Sequence, residues 1–499
     1  MDGIKKDNQR TTHHIEHGGF EEMNSTTDPK TEISTQQDLF DVEDTDINFR
    51  SLSWQGAAIL IAKLQIGLGA LSLPSTFHTL GFFPGILCFV VLSCMTTIAG
   101  YVSGNARQYF PQIHSIGDAA EMILGTAAKE VMGVIYYLYL TLVAGAGLLT
   151  TSVALNALSD NGACTTVFVA VACAAAFIFG TSFRSLERVS WLSWVGVAGI
   201  IIAIWVTAIA CLAQDHPAAA PLNSHVPLDL EIRVFPRTNF SQAMGAVSSQ
   251  LFAVGASGTF FSVSAEMKRP ELFTRALICG QSFIVATCII IASIVYGKVG
   301  QYLSSPALGS AGPLIKKIAY GIALPGLVVT AILWSHVAAK YWFVRILRGT
   351  PHLQTNTIKH WVTWIGSMAV TAALAFIIVG IIPFFDDFLS LVGALVNPVF
   401  TAIFPGIMIL FFIAERPTRI QECARNDGSH EYRTTQWLPL ALAKWKDGSK
   451  ETIALLLGIL MILAGVFIVV GGTYATVLNI KNSYNEGKVS GFFSCADNS

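Results

Sequence analysis

The chain has 499 residues, of which 53% are hydrophobic and 13% charged, with a formal net charge of -1 and a mean hydropathy of +0.56. A soluble domain carries about 25% charged residues, so the composition excludes an ordinary globular enzyme or solvated binding module. The near-zero charge supplies no basic field, and no nucleic acid is expected as a partner.

Residues 1–50 are polar, with Asp38, Asp41, Glu43, Asp44 and Asp46 gathered just before the first apolar run. A secretory leader needs a basic start followed at once by an apolar stretch, and none stands here. Residues 1–50 are therefore expected to form a disordered cytosolic tail. Its Lys5, Lys6 and Lys30 could accept ubiquitin from a ligase, and His13, His14 and His17 read as part of a solvated tail rather than a metal site.

Residues 51–480 read as one all-α, polytopic membrane domain. A spanning helix needs about 20 mostly apolar residues. Eleven segments qualify: 54–78, 80–102, 130–157, 163–182, 189–213, 242–265, 276–298, 314–343, 361–383, 387–414 and 452–478. The polar–apolar segment 104–128 is expected to hold an amphipathic helix on the inner membrane surface. Asn239-Phe240-Ser241 fits a glycosylation pattern but lies close to a span, and no modification is expected there.

Basic residues test the topology, because cytoplasmic loops are enriched in them. With the N-terminus inside, seventeen Lys and Arg fall in inner loops and five in outer segments. Removing one early span would reverse the later loops and spoil that bias. Eleven spans put residues 481–499 outside as a short extracytoplasmic tail. Most cysteines sit in apolar runs as small hydrophobes, and no metal-ligand spacing appears. Cys164 and Cys495 both fall outside; a single bridge is open to them but is not expected.

In hydrocarbon, backbone leaves the helix only where it is buried in protein or lines a cavity. The first span contains Ile66-Gly67-Leu68-Gly69-Ala70-Leu71-Ser72-Leu73-Pro74. Two glycines and a proline let the chain leave helical geometry there. Amides freed at the break, with the positive end of the second half-helix, suit a carboxylate. The sixth span contains Phe252-Ala253-Val254-Gly255-Ala256-Ser257-Gly258-Thr259, weak in the same way. Spans one and six are five apart, as a five-plus-five inverted repeat requires, with the eleventh helix outside the repeat. The competing reading is that these small residues only permit close helix packing.

The first-span sequence, followed by Phe77, resembles the first-helix signature of the amino acid/auxin permease family. Ala265-Glu266-Met267-Lys268-Arg269-Pro270, at the inner end of span six, resembles its second signature. The resemblance runs through residues 50 to 480 and is similar in flavour to fungal neutral amino-acid permeases. It implies a leucine-transporter-like fold with substrate between spans one, three, six and eight. By that resemblance the backbone at Gly67, Leu68 and Gly69, flanked by Ile66 and Ala70, would hold the substrate carboxylate. Carbonyls near Phe252, Ala253 and Gly255 would take its ammonium, with Ala256 also part of the substrate site. Tyr137, Tyr139, Val143 and Ser257 are candidates for the side-chain wall.

Lys63 lies four positions before Gly67, about one helical turn. A lysine at that depth is costly unless paired or hydrated. In sodium-coupled branches of the family an asparagine usually stands here, and in proton-coupled branches often a lysine. Its ammonium could replace the cation, its own titration or a neighbour's coupling transport to protons; alternatively it snorkels to the inner headgroups. Ser335 is a candidate partner, at the family's second cation site. Glu266 is expected to pair with Lys268 or Arg269 or to act in an inner gate, and Lys340 to snorkel. Asp386 and Asp387, at the mouth of span ten, read as helix-cap residues or gates, and Trp334, Trp342 and Trp361 as interfacial anchors.

The expected function is secondary active transport of neutral amino acids by alternating access and proton symport, not enzymatic catalysis. The proton gradient is the driving force and no cofactor is needed. The plasma membrane is the expected site, a vacuolar or other endomembrane permease or a non-transporting sensor being the alternatives.

Overall fold

The computed structural model describes residues 52–499 apart from 67–68, 111–112, 183–185, 222–228, 354, 383, 415–436, 447, 486–492, 494 and 496–499. The expected disordered tail with its ubiquitin-accepting lysines, the backbone of Gly67 and Leu68, and most of 481–499 lie outside the described residues. Those described are helical, with no named strand. The sole pairing of strand type is a bridge from Leu52 to Met267.

Among the described residues, ten helical segments are long and apolar enough to cross a membrane, and a bent pair makes eleven. The bent pair is span one: α1 (Trp54–Ile66) and α2 (Gly69–Leu80), inclined at 50°. Then come α3 (Phe82–Tyr109), a short α4 (Ile116–Leu124), α5 (Thr126–Ser159), α6 (Thr165–Ser182) and α7 (Leu186–Ala213). Span six is α8 (Phe240–Val254) and α9 (Phe260–Ala265), interrupted between them. Next are α10 (Phe273–Val299), α11 (Pro313–Leu347) and α12 (Ile358–Ile381). Span ten joins α13 (Phe385–Leu395) to α14 (Phe404–Ala414) through a π-type turn after Pro398. A short α15 (Trp437–Ala443) leads to span eleven, α16 (Ser449–Phe467) and α17 (Thr473–Asn485).

This is an integral membrane protein, with breaks in spans one and six and an eleventh helix beyond the first ten, the arrangement the sequence led one to expect. Long apolar side chains such as Leu87, Val131, Ile178, Leu460 and Phe467 point outward, where lipid replaces water as their solvent. The breaks and α5, α8 and α11 lie inside the bundle.

Three expectations need correction. The segment after α3 does form an amphipathic helix, α4, closed by a Ser115–Asp118 capping box. Its apolar side, Ile116, Ala119, Ala120 and Ile123, enters the protein core instead of lying on the membrane. Trp334 is no interfacial anchor: it is buried, edge-on to Tyr139 at 5.8 Å. Cys164 and Cys495 are joined as a disulfide. Phe493 brings the C-terminal segment there, its amide donating to the Gly380 carbonyl at 2.9 Å and its ring lying against Phe376.

Candidate substrate and coupling site

α1 stops at Ile66 and α2 resumes at Gly69, so span one is interrupted where the glycines fall. Gly69 is required by a close approach: a Cβ there would strike Ala253 Cα and Cβ and lie 3.0 Å from its nitrogen. The break of span one thus rests on the backbone of span six. Span six opens at Gly255 and Ala256, whose ψ values of 42° and 8° leave the helical range. A Cβ on Gly255 would meet Asn397 of span ten, whose amide donates to the Leu251 carbonyl at 3.3 Å. Gln250 ties the spans together, donating to Thr76 at 3.0 Å and to the Gly85 carbonyl at 3.1 Å.

A small enclosed void lies between the two breaks. Lys63, Gln65, Tyr139, Phe252, Gly255 and Trp334 are among its walls, with Val143 and Thr330. It has room for about 10 Å³, one water molecule. The Tyr139 hydroxyl crosses it and donates to the Gly255 carbonyl at 2.7 Å.

Of the sequence-predicted residues, Lys63, Tyr139, Phe252 and Gly255 meet here. Ile66, Gly69, Ala70, Ala253, Ala256 and Ser257 are buried along the same breaks, and Ser257 Oγ has no hydrogen-bond partner among the described residues. Tyr137 turns away and bonds Thr371 at 3.1 Å.

Lys63 does not snorkel. It is 1% exposed, and its ammonium donates to Thr330 Oγ1 at 2.8 Å and to the Gly326 carbonyl at 3.1 Å, both on α11. These are neutral oxygens, and no carboxylate pairs with Lys63 among the described residues. Ser335 is not its partner, and Ser335 Oγ is without a bond. Five residues beyond Thr330, Ser335 points about 140° away around the helix. The signal for Thr330 was a hydroxyl on the face of α11 that the Lys63 side chain reaches, which only the tertiary structure reveals. Gln65 was also missed; it stands two residues before the glycine motif.

A larger cavity of about 420 Å³ opens on the side where α1 begins and α9 ends. Glu266 lines it, paired not with Lys268 or Arg269 but with Lys340 at 3.5 Å, so Lys340 does not simply snorkel. Burial pushes the Glu266 carboxyl up from the usual carboxylate range, and the Lys340 ammonium offsets part of that. Arg345 pairs with Glu130, and Arg348 reaches Asp118 at 3.3 Å. Tyr136 and Phe400 lie between this vestibule and the central void. Their ring centroids are 5.7 Å apart, and Phe400 touches Tyr139 at 5.4 Å. On the opposite side, Asp386 accepts from Ser305 at 2.5 Å and Asp387 from Ser483 at 2.7 Å. Both aspartates fall inside the first turn of α13, whose cap position is Phe384.

Two broken spans meeting in a bundle of eleven, a polar void at their junction and a vestibule on one side define a membrane transporter. The chain matches the family described as transmembrane amino acid transporter protein over residues 50–426, and it belongs to that family. A transmembrane transporter of Gibberella moniliformis is 31% identical over 472 residues, covering 94% of this chain and 92% of the relative. The N amino acid transport system protein of Neurospora crassa is 28% identical, covering 90% of this chain and 89% of its own. Amino acid transporter AVT3A of Arabidopsis thaliana is 24% identical over 69% of this chain and 78% of its own. Among solved structures, the nucleobase-cation-symport-1 family transporter Mhp1, in a closed conformation with bromovinylhydantoin bound, superposes with a TM-score of 0.51. It covers 87% of this chain and 94% of its own at 15% identity, a likeness of fold alone.

Proposed function

We propose that this transporter moves neutral amino acids by alternating access, driven by protons. The observation that carries the reading is Lys63. An ammonium held by neutral oxygens between span one and α11 has the charge and the oxygen ligands of a bound cation, without a cation. Gain or loss of its proton changes how many bonds hold span one to α11, which is the joint that alternating access must flex.

In this reading the substrate carboxylate meets the amides around Gly67–Gly69. Its ammonium takes the Gly255 carbonyl and displaces the Tyr139 hydroxyl. Tyr139, Phe252 and Trp334 offer an aromatic wall, and the one charged group among the described lining residues, Lys63, is held by α11, which favours uncharged side chains. The Glu266–Lys340 pair guards the vestibule side, and Asp387 with Asp386 the other. The names of the Neurospora and Arabidopsis relatives support an amino-acid substrate. The Cys164–Cys495 bridge supports an extracytoplasmic C-terminus, because disulfides persist on the oxidising side of a membrane. We place the N-terminus in the cytosol, the driving proton outside and the protein in the plasma membrane.

The test is uptake of labelled L-alanine, L-leucine and L-phenylalanine by proteoliposomes without sodium, with an inward proton gradient imposed or collapsed. Gradient-dependent accumulation is expected, with Lys63→Ala exchanging substrate but no longer concentrating it. Accumulation by Lys63→Ala equal to wild type removes the lysine from coupling. Folded wild-type protein that moves none of the three favours a sensor.

A further inference from the structure

We propose that Gln65 binds the head of the substrate, its amide oxygen accepting from the α-ammonium and its amide nitrogen donating to the α-carboxylate. The inference rests on the amino-acid reading above and adds a binding residue to it.

Gln65 is 3% exposed, on the last turn of α1 and two residues before the glycine break. Neither its Oε1 nor its Nε2 has a hydrogen-bond partner among the described residues. Buried polar atoms are almost always bonded, because an unmade bond leaves the desolvation cost uncompensated. Gln250, a glutamine buried on span six, shows the structural alternative: its amide nitrogen makes two bonds that join spans. Gln281 on α10 is unbonded as well but does not line the central void. Gln65 does line it, beside Gly255 and Tyr139.

The chemistry of the walls selects the part of the ligand. A carboxamide offers one acceptor and two donors side by side, which matches the ammonium and carboxylate of a zwitterion. The Tyr139, Phe252 and Trp334 walls are mainly apolar and suit the substrate's side chain. Gln65 is at the end of α1, on the side of the bend between α1 and α2. It therefore contributes to affinity for every substrate alike and not to the choice among them.

The test uses the full chain with Gln65→Met, which keeps length and removes the amide, and Gln65→Asn, which keeps the amide on a shorter stem. Uptake half-saturation and thermal midpoint are measured with L-alanine, L-leucine and L-phenylalanine. Gln65→Met is expected to raise half-saturation about tenfold or more for all three by a similar factor, Asn less so. The midpoint without substrate stays level or rises, since an unbonded polar group is gone, while the substrate-induced rise shrinks. Unequal losses among the three substrates would assign Gln65 to the side chain and overturn the proposal. Unchanged half-saturation overturns it, and so does failure of Gln65→Met to fold, because an unbonded amide contributes nothing to the fold. A wild-type protein that neither moves nor is stabilised by any of the three fails the amino-acid reading itself, before the variants are compared.

Discussion

Gly69→Ala places one methyl group where the broken spans touch. The added carbon would lie 3.0 Å from Ala253 N and closer still to Ala253 Cα and Cβ. Carbon atoms sit best at about 3.5–4.0 Å, so the two breaks must separate by about 1 Å or more. The neighbours are backbone and a methyl, with no flexible side chain to yield. Overpacking of this kind costs about 1–3 kcal/mol. Since both displaced segments form the site, that cost is expected to appear as a rise in substrate half-saturation of about 10–100-fold. Thermal unfolding of the purified protein should fall in parallel. Gly366→Ala is the control: the same methyl on α12 meets nothing within 4 Å. In a helix interior it should stabilise by up to about 1 kcal/mol. If Gly69→Ala matches Gly366→Ala in both midpoint and uptake, the contact between the breaks is not part of the site.

Thr330→Val keeps shape but removes the hydroxyl that Lys63 bonds, a loss of about 1.5–3 kcal/mol for a bond to a charged group. Proton-driven accumulation should fall about tenfold or more while substrate exchange without a gradient is largely kept; equal loss of both would detach Lys63 from coupling. Cys164→Ser, Cys495→Ser and the double variant should lower the thermal midpoint alike, with about 2–4 kcal/mol at stake. A double variant much worse than either single one would show that the cysteines act separately. Glu266→Gln tests the buried carboxyl through pH. Its pKa is raised above the ordinary 4.5, so the folded state holds that proton more tightly than the unfolded chain. The stability this contributes is fully present below pH 4.5 and is lost as pH rises through the folded value. The midpoint of wild type minus that of Glu266→Gln should therefore fall as pH rises above 4.5; a flat or rising difference contradicts the assignment.

The spans and both breaks were legible because they depend on local composition. Apolar runs of spanning length, Gly67 and Gly69 before Pro74, and Gly255 to Gly258 all declare themselves within a few residues. The expected orientation rests on basic residues summed over many loops, not on any one local signal. What failed was pairing across the bundle. Nothing local says that Glu266 meets Lys340, 74 positions away, instead of its neighbours Lys268 and Arg269. The chain leaves the helix at Glu266, where Leu52 bridges Met267, and the vestibule lies between. Ser335 lost to Thr330 by a rotation about α11 relative to the Lys63 side chain that reaches it. Trp334 reads as an anchor by residue type, yet it stands one residue before Ser335, deep in a helix buried for most of its length. Segment 104–128 has the pattern of a membrane-surface helix because the pattern gives an apolar face without saying what covers it.

The conformation seen is open on one side of the bundle, and the proposed topology makes that side the cytosolic one. The vestibule beside Glu266 is wide enough for an amino acid, while the void at the breaks holds about one water. Among the described residues, Tyr136 and Phe400 stand between them. On the other side the bonds of Asp386 and Asp387 join span ten to the segment before α11 and to span eleven. On the proposed cycle this is a state that faces the cytosol with its site collapsed after release. Refilling from outside must break the Ser305–Asp386 contact, part Tyr139 from Gly255 and tilt span one, and the third of these strains the bonds from Lys63 to Thr330 and Gly326. The proton and the hinge then depend on the same two bonds. Coupling would need no relay to a distant group, and a substitution at Thr330 should disturb coupling more than affinity.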